Sequence, residues 1–336
     1  MNKITAQALS EIDRRGFIHI PSFLSDEEIA QFRQDFNNRK PIGNGNYHIR
    51  SVSPNVFALF RERLGDIAKQ VSEQTNVLVN ELPGTGYYFS TWKEQGNATE
   101  NIAPKKQRFA WHIDHESFFT LQDHTNYLNC YIPVIKPVLE RSNLSVIPLD
   151  RLAERLPRIN KYLVGRGAIR IVRDRQGNNV ILDDDQGGII ARLDFSVNEI
   201  EETPCLHPGD LLLIRGDVLH QTQDTSTQRV AVSFRLSNRD AIISRDKLIS
   251  GGLVKTVMMF NNWFPYELIF RYFDDSNSDT ATRSAIDDYT FRKKLPPDFN
   301  RYHFLLRLLK AKVLAGNLLK TILDIRRLPL ILRDLP

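Results

Sequence analysis

The spacing of apolar residues over the first 75 positions predicts helices that flank a short strand. Residues 4–15 and 54–73 have the pattern of helices, whereas residues 16–20 have the composition of a strand. Ser25 is followed three residues later by Glu28, just before apolar residues at helical spacing, which predicts a capping box at the start of another helix.

From Phe109 to about Asn238 the pattern changes to short apolar or alternating runs separated by turn residues. The predicted strand regions, including one earlier stretch of similar composition, are 77–92, 128–135, 142–148, a hairpin over 168–182, 211–214 and 229–235. Many short strands with turn signals predict an antiparallel barrel or a double-sheet jelly roll. The expected fold class is therefore mainly β with flanking helices.

The composition is typical of a globular protein, with 41% hydrophobic and 25% charged residues among 336. This length suits one elaborated domain or two small ones. The two cysteines, Cys130 and Cys205, have no metal-binding spacing and fit a reducing compartment. The sequence has no recognisable secretory signal and no apolar stretch long enough to span a bilayer, so a cytoplasmic location is expected.

The net charge of +5 is a property of the C-terminal region. Residues 301–336 contain eight Lys and Arg against two Asp, a balance of +6, which leaves −1 (5 − 6) for the rest of the chain. A nearly neutral main part argues against a nucleic-acid partner. Between residues 302 and 332, apolar side chains at mostly helical spacing predict one or two basic helices. These helices would pack on the core or on a second subunit, or bind a membrane surface or an acidic partner.

The segment Trp111-His-Ile-Asp114 carries the first pair of residues that suggests chemistry. Alternate residues of a strand project from the same face, so the His112 imidazole and the Asp114 carboxylate can converge on one point. A second imidazole would complete a two-histidine, one-carboxylate set, the ligand pattern of non-haem Fe(II) oxygenases. We predict that this third ligand is His220, because two turns and a buried strand after Pro208 deliver it.

Arg229 lies nine residues after His220 and opens a strand on which Ala231, Ser233 and Arg235 share its face. A guanidinium is a planar, two-pronged match for a carboxylate, which suits a dicarboxylate cosubstrate near a metal. Arg229 is thus the candidate cosubstrate ligand.

Over roughly residues 10–240, the chain resembles the phytanoyl-CoA dioxygenase family of Fe(II)- and 2-oxoglutarate-dependent oxygenases. The segments that carry the resemblance are Ile12–Ile29, Trp111–Asp114, Pro208–Asp210, His220 and Arg229–Ser233. The resemblance implies a double-stranded β-helix of the jelly-roll, cupin-like kind, in agreement with the strand pattern. The gap between the second and third predicted metal ligands is longer than in the family, which implies an insert at about 150–205.

Carried over residue by residue, the resemblance implies that His112, Asp114 and His220 bind iron and that Arg229 binds the distal carboxylate of 2-oxoglutarate. The distance in sequence from His220 to Arg229 is slightly short for the family, so Arg235 is a rival for the same role. Related halogenases have a small residue at the position of Asp114, so its carboxylate favours hydroxylation, desaturation or ring closure. The expected cofactor is Fe(II), with 2-oxoglutarate and O2 as cosubstrates.

Asn129 and Tyr131 lie on the strand after the His-x-Asp segment, where the family often places further cosubstrate contacts. The resemblance thus adds these two side chains to the predicted cosubstrate site.

The function predicted on these grounds is that of a dioxygenase that oxidises an unactivated C–H bond of a small organic molecule. An amino-acid-derived or other secondary metabolite is the expected class of substrate. Two alternatives stay open, a cupin-like metal enzyme that does not use 2-oxoglutarate and a non-catalytic binding barrel that retains metal for stability. The expected organisation is an oxygenase core over residues 1–240, including the insert, followed by a helical extension over 241–336 that packs on the core.

Overall fold

A computed structural model gives the fold of the chain. It describes residues 4–41, 49–82, 86–91, 110–114, 123–174, 176–186, 188–249 and 266–292, together with Ala311 and Ala315. The chain forms two compact units. The first comprises Met1–Ile113, His124–Gly165 and Val197–Asn238, and the second comprises Asp114–Asp123, Arg166–Ser196 and Arg239–Pro336.

The helices of the described residues belong to both units. They are α1 Ala6–Arg15, α2 Asp26–Asn38, α3 Pro54–Gln74, α4 Leu149–Arg155, α5 Pro157–Leu163, α6 Arg245–Ile249, α7 Tyr266–Ser276 and α8 Arg283–Arg292. The predicted capping box of α2 is confirmed, because the Ser25 hydroxyl accepts from the Glu28 N–H and the Glu28 carboxylate accepts from the Ser25 N–H. In the described part of the chain, no helix is long and apolar enough to cross a bilayer.

The strands in chain order are β1 Phe17–Ile20, β2 Ile49–Ser51, β3 Tyr87–Ser90, β4 Tyr127–Ile135, β5 Leu144–Val146, β6 Ile169–Arg173, β7 Asn179–Asp183, β8 Ile189–Leu193, β9 Leu211–Arg215, β10 His220–Thr222, β11 Val230–Ser237, β12 Ile242–Ser244 and β13 Thr280–Thr282. The first unit contains one large antiparallel sheet in the order β1-β9-β4-β11-β3-β2. The paired strands β5 and β10 form a smaller sheet.

Two isolated bridges extend the smaller sheet. His112 pairs with His220 on one side, and Val146 pairs with Glu202 on the other. Leaving out β6–β8, which form a sheet of their own, eight segments follow from β3 onwards: β3, His112, β4, β5, Glu202, β9, β10 and β11. The first, third, sixth and eighth of them lie in the large sheet, and the second, fourth, fifth and seventh lie in the small one. This alternation is the connectivity of a double-stranded β-helix, so the predicted fold class is confirmed by the strand pairing of the chain itself.

Both faces of the large sheet are covered. On one face, apolar side chains of β4, β9 and β11 form a core with helices α1, α2 and α3. On the other, Tyr131, Leu212, Ile214 and Ala231 pack with Leu144 and Val146 of the small sheet. The double cover explains why β4 and β11 are almost wholly buried and do not show the exposed alternation of a one-sided sheet.

In the second unit, β6, β7 and β8 form a three-stranded antiparallel sheet, and β12 pairs with β13. The predicted hairpin over 168–182 is confirmed as β6 and β7, whereas β8 was not predicted. The predicted strands over 77–92 are partly wrong, because within the described part of that stretch only β3 is a strand and Glu81 forms a single bridge. The predicted tail helices over 302–332 lie outside the described residues, except for Ala311 and Ala315, which are helical.

Gly16 ends α1 in the left-handed conformation, with φ 82°, and leads directly into β1. A Cβ at this position would lie 2.3 Å from Cγ2 of Val218. We expect Gly16→Ala to lower the free energy of unfolding by about 3 kcal/mol, since backbone strain and overpacking add.

Gly177→Ala is the matched control, because Gly177 has φ 86° and a Cβ added there would meet no atom within 4 Å. Its free energy of unfolding should fall by only about 1 kcal/mol, the cost of the left-handed backbone for alanine. Urea denaturation of both variants measures the difference, and equal losses would mean that the contact with Val218 relaxes freely.

Candidate metal centre

The two candidate histidine ligands lie side by side at the edge of the small sheet. The backbone N–H of His112 donates to the carbonyl of His220 and the N–H of His220 donates to the carbonyl of His112, both at 2.9 Å. The centroids of their rings are 4.3 Å apart. Residues more than a hundred positions apart in sequence are thus held together by a closed pair of backbone hydrogen bonds.

Each imidazole is oriented in the same way by its own chain. Nδ1 of His112 donates to the carbonyl oxygen of Ala110 at 2.6 Å, and Nδ1 of His220 donates to that of Val218 at 3.0 Å. A carbonyl oxygen can only accept, so Nδ1 carries a hydrogen, and Nε2 is the nitrogen of each ring that can bind a metal. Metal-binding histidines characteristically have their second nitrogen fixed in this manner.

Asp114 completes the group. One ligand atom from each of His112, Asp114 and His220 lies within 4.8 Å of the other two. Asp114 and His220 are buried and His112 is partly buried. The structure therefore brings together the three predicted ligands, and two imidazole nitrogens with one carboxylate form a donor set that fits Fe(II) and leaves coordination positions open.

The turn that delivers His220 is held by a buried ion pair. Nε and Nη2 of Arg215 donate to the two carboxylate oxygens of Asp217 at 2.6 and 3.0 Å, and the N–H of Gly165 donates to the same carboxylate at 2.9 Å. The Asp217 side chain has no exposed surface. A fully satisfied carboxylate three residues before His220 keeps this turn, and with it the imidazole, in one position.

Arg229 is 3% exposed and lies just before β11. Its Nη1 donates to the carbonyl of Ser142 at 3.0 Å, and its guanidinium carbon is 5.6 Å from the centre of the Tyr131 ring. Among the described residues, its Nε has no hydrogen-bond partner. The pairing of β11 with β4 shifts between Val230 and Ala231, so the regular alternation predicted from Arg229 begins only at Ala231.

Tyr131 lies on β4 and belongs to the core between the two sheets. Its hydroxyl is buried, and the described part of the chain offers it no hydrogen-bond partner. Burial raises the pKa of Tyr131, and the charge of Arg229 opposes this only in part. The hydroxyl is thus a protonated donor beside a buried cation, an arrangement that suits a carboxylate ligand.

Asn129 and Arg235 face each other across β4 and β11, with Ser233 next to them. Oδ1 of Asn129 accepts from Oγ of Ser233 at 2.7 Å and from Nη1 of Arg235 at 2.8 Å. Arg235 also donates to the Ser233 hydroxyl. The two predicted site residues in this group are therefore bound to each other, in contrast to Arg229 and Tyr131.

Sequence reasoning missed the part played by Ser142. Its carbonyl accepts from Arg229, and its hydroxyl accepts from the Thr227 N–H at 3.4 Å in the loop before Arg229. These contacts join positions more than 80 residues apart. The only local signal is the polar Ser142-Asn143 pair before the apolar strand β5.

No protein-family model and no curated protein sequence matches the chain. Solved structures do match. SnoK, described as a non-haem, α-ketoglutarate-dependent carbocyclase from nogalamycin biosynthesis, is 15% identical at a TM-score of 0.46, over 72% of this chain and 87% of SnoK. EctD from S. alaskensis is also 15% identical at a TM-score of 0.46, over 72% of this chain and 80% of EctD. HygX from Streptomyces hygroscopicus, whose structure contains nickel and 2-oxoglutarate, is 14% identical at a TM-score of 0.43, over 70% of this chain and 88% of HygX.

Proposed function

We propose that the chain is a mononuclear non-haem Fe(II)- and 2-oxoglutarate-dependent oxygenase that oxidises a C–H bond of a small organic molecule. The observation that carries the proposal is the convergence of His112, Asp114 and His220, with both imidazole rings oriented by hydrogen bonds from Nδ1 to backbone carbonyls. In a hydroxylation, 2-oxoglutarate, O2 and R–H would become succinate, CO2 and R–OH.

Iron held by these three side chains would supply coordination positions for 2-oxoglutarate and O2 and would activate O2, which is the oxidant of the reaction. The protein residues keep the ligand atoms in place. The carbonyls of Ala110 and Val218 fix the two rings by accepting hydrogen bonds from Nδ1, and the Asp114 carboxylate would balance part of the metal charge.

We assign the distal carboxylate of 2-oxoglutarate to Arg229 and Tyr131. The support is that both side chains are buried, that their ring and guanidinium are neighbours, and that Nε of Arg229 and the hydroxyl of Tyr131 are atoms without a partner in the described chain. A carboxylate at this place would accept from both donors, which removes the cost of leaving them buried and unpaired.

We propose that the substrate is a small molecule, with an amino-acid-derived or other secondary metabolite as the working class. The apolar side chains of Leu144, Val146, Leu212 and Ile214 between the two sheets keep water from the inner part of the barrel. We also propose that residues 1–240 form the oxygenase core and that residues 241–336 form a mainly helical extension, which also contains the short paired strands β12 and β13.

The proposal is tested with the apoprotein under anaerobic conditions. Addition of Fe(II) and then 2-oxoglutarate should produce the weak visible charge-transfer band of a chelated 2-oxo acid, since the oxo and carboxylate oxygens would bind the same ion. Zn(II) in place of Fe(II) is the control and should give no band. If iron is bound but the band is absent, the cupin-like enzyme or the non-catalytic barrel becomes the better assignment.

A further inference from the structure

Ala168 has a backbone conformation that its side chain does not favour. Its φ is 57°, in the left-handed region, and the residue is completely buried. Glycine adopts this conformation without steric cost, whereas alanine does not. Strained residues of this kind persist when the surrounding structure holds them and are often found beside functional sites.

Ala168 connects the metal-ligand segment to the three-stranded sheet β6–β8. The N–H of Ala168 donates to the backbone carbonyl of Asp114 at 3.0 Å, and the Ala168 carbonyl accepts from the N–H of Asp184 at 2.8 Å. Asp184 is buried in turn, and its carboxylate accepts from Nε and Nη2 of Arg170 on β6. Ala168 is therefore joined by backbone hydrogen bonds to Asp114 through its N–H and to Asp184 through its carbonyl.

We infer that Ala168 is a positioning residue for Asp114, and that the sheet β6–β8 serves as the support of this metal ligand. This inference rests on the proposed metal centre. It gives a role to the insert at about 150–205, whose central part is the sheet β6–β8.

The physical reason for this role is that the bridge between His112 and His220 does not extend to Asp114. His112 is fixed by two backbone hydrogen bonds to His220, but the backbone of Asp114 lies beyond that bridge. A ligand carboxylate that is free to shift by a fraction of an ångström loses the geometry that a metal requires. The hydrogen bond from Ala168 constrains the backbone of Asp114 beyond the bridge, and the left-handed turn allows the same residue to continue into β6 at Ile169.

The variant Ala168→Val tests the inference. A β-branched residue does not tolerate the left-handed region, so the backbone should leave it and the bond to Asp114 should break. We expect binding of Co(II), used as a spectroscopic probe, to weaken by about 10- to 100-fold, as for other residues that orient metal ligands. The visible Co(II) spectrum should also change, because it reports the coordination geometry.

Two further variants separate positioning from general strain. Ala168→Gly keeps the left-handed backbone and should bind Co(II) several-fold more tightly than Ala168→Val. Asn277→Val introduces the same conflict at an exposed residue with φ 51° in the same unit, and it should leave Co(II) affinity and spectrum at their wild-type values. Equal Co(II) affinity and spectra for wild type and Ala168→Val would overturn the inference.

Hydrogen exchange of the wild-type protein provides a measurement that does not depend on whether Ala168→Val folds. Co(II) should slow exchange of the Ala168 and Asp184 amides more than that of β12, which is paired with β13 in the same unit. Equal changes in both regions would count against a supporting role. If wild type itself binds no Co(II), the proposed metal centre fails. If wild type binds Co(II), but Ala168→Val binds it equally well and Co(II) slows exchange equally at Ala168, Asp184 and β12, only the role of Ala168 fails.

Discussion

Alanine in place of His220 is expected to weaken Fe(II) binding by at least about 100-fold and to abolish the 2-oxoglutarate charge-transfer band. The imidazole supplies one of three protein donors, and its loss leaves His112 and Asp114, which should hold a ferrous ion much more weakly. The side chain is 7% exposed and its backbone bonds to His112 do not depend on the ring. Anaerobic Fe(II) titration, followed by 2-oxoglutarate addition, measures both effects.

His207→Ala is the matched control for this variant. The His207 side chain is 60% exposed and its Nδ1 lies 3.5 Å from the Asp210 carboxylate, outside the group of three candidate ligands. Its removal should leave Fe(II) affinity and the band unchanged. A His220→Ala protein that keeps its thermal midpoint and still gives the wild-type band would show that the ligand assignment is wrong.

The result also separates the open alternatives. A cupin-like enzyme without 2-oxoglutarate would lose metal in His220→Ala, but wild type would give no band. A barrel that retains metal only for stability would show a fall in thermal midpoint on metal removal, with no consumption of 2-oxoglutarate by the loaded protein.

Much of this architecture could be predicted because short stretches of sequence determine it. The capping box at Ser25 and the strands β4, β9 and β11 follow from spacing and composition over short windows. The position of His112 and Asp114 on the same face follows from the alternation of side chains along an extended chain. By contrast, β8 is a five-residue run after a turn and a glycine, and so short an apolar run does not distinguish a strand from a helix.

Other features arise from contacts that no local window contains. The bond from Arg229 to the Ser142 carbonyl joins residues 87 positions apart, and that from Ala168 to Asp114 joins two segments of the second unit. The left-handed conformation of Ala168 has no sequence signal, since alanine is not a residue that predicts it. The support of a ligand is thus harder to predict than the ligand itself.

Arg229→Ala is expected to raise the apparent KM for 2-oxoglutarate by roughly 100-fold or more, because truncating one partner of a buried charge pair costs about 2–5 kcal/mol. The guanidinium is almost fully buried, and its Nε is without a partner in the described residues. In Arg229→Ala, a carboxylate at this place would have only the neutral hydroxyl of Tyr131 as a donor and would lose its contact with the guanidinium cation. Steady-state oxygen consumption at varied 2-oxoglutarate measures the change.

Arg229→Gln controls for the structural contact of this residue. Glutamine keeps a buried amide donor that can reach toward the Ser142 carbonyl but removes the charge, so its KM should stay close to that of Arg229→Ala. If the loss in Arg229→Ala came from the missing bond to Ser142, Arg229→Gln would recover much of the affinity. Fe(II) affinity should be unchanged in both variants, because Arg229 is not among the candidate metal ligands.

Arg235→Ala decides between the two arginines. Nη1 of Arg235 already donates to Asn129 and Ser233, so this guanidinium has neutral partners and is less available to a carboxylate. Its removal should therefore raise the KM for 2-oxoglutarate by less than about 10-fold, a loss of less than about 1.4 kcal/mol. A larger effect for Arg235→Ala than for Arg229→Ala would transfer the cosubstrate role to Arg235 and leave Arg229 as the residue that anchors the loop before β11 to Ser142.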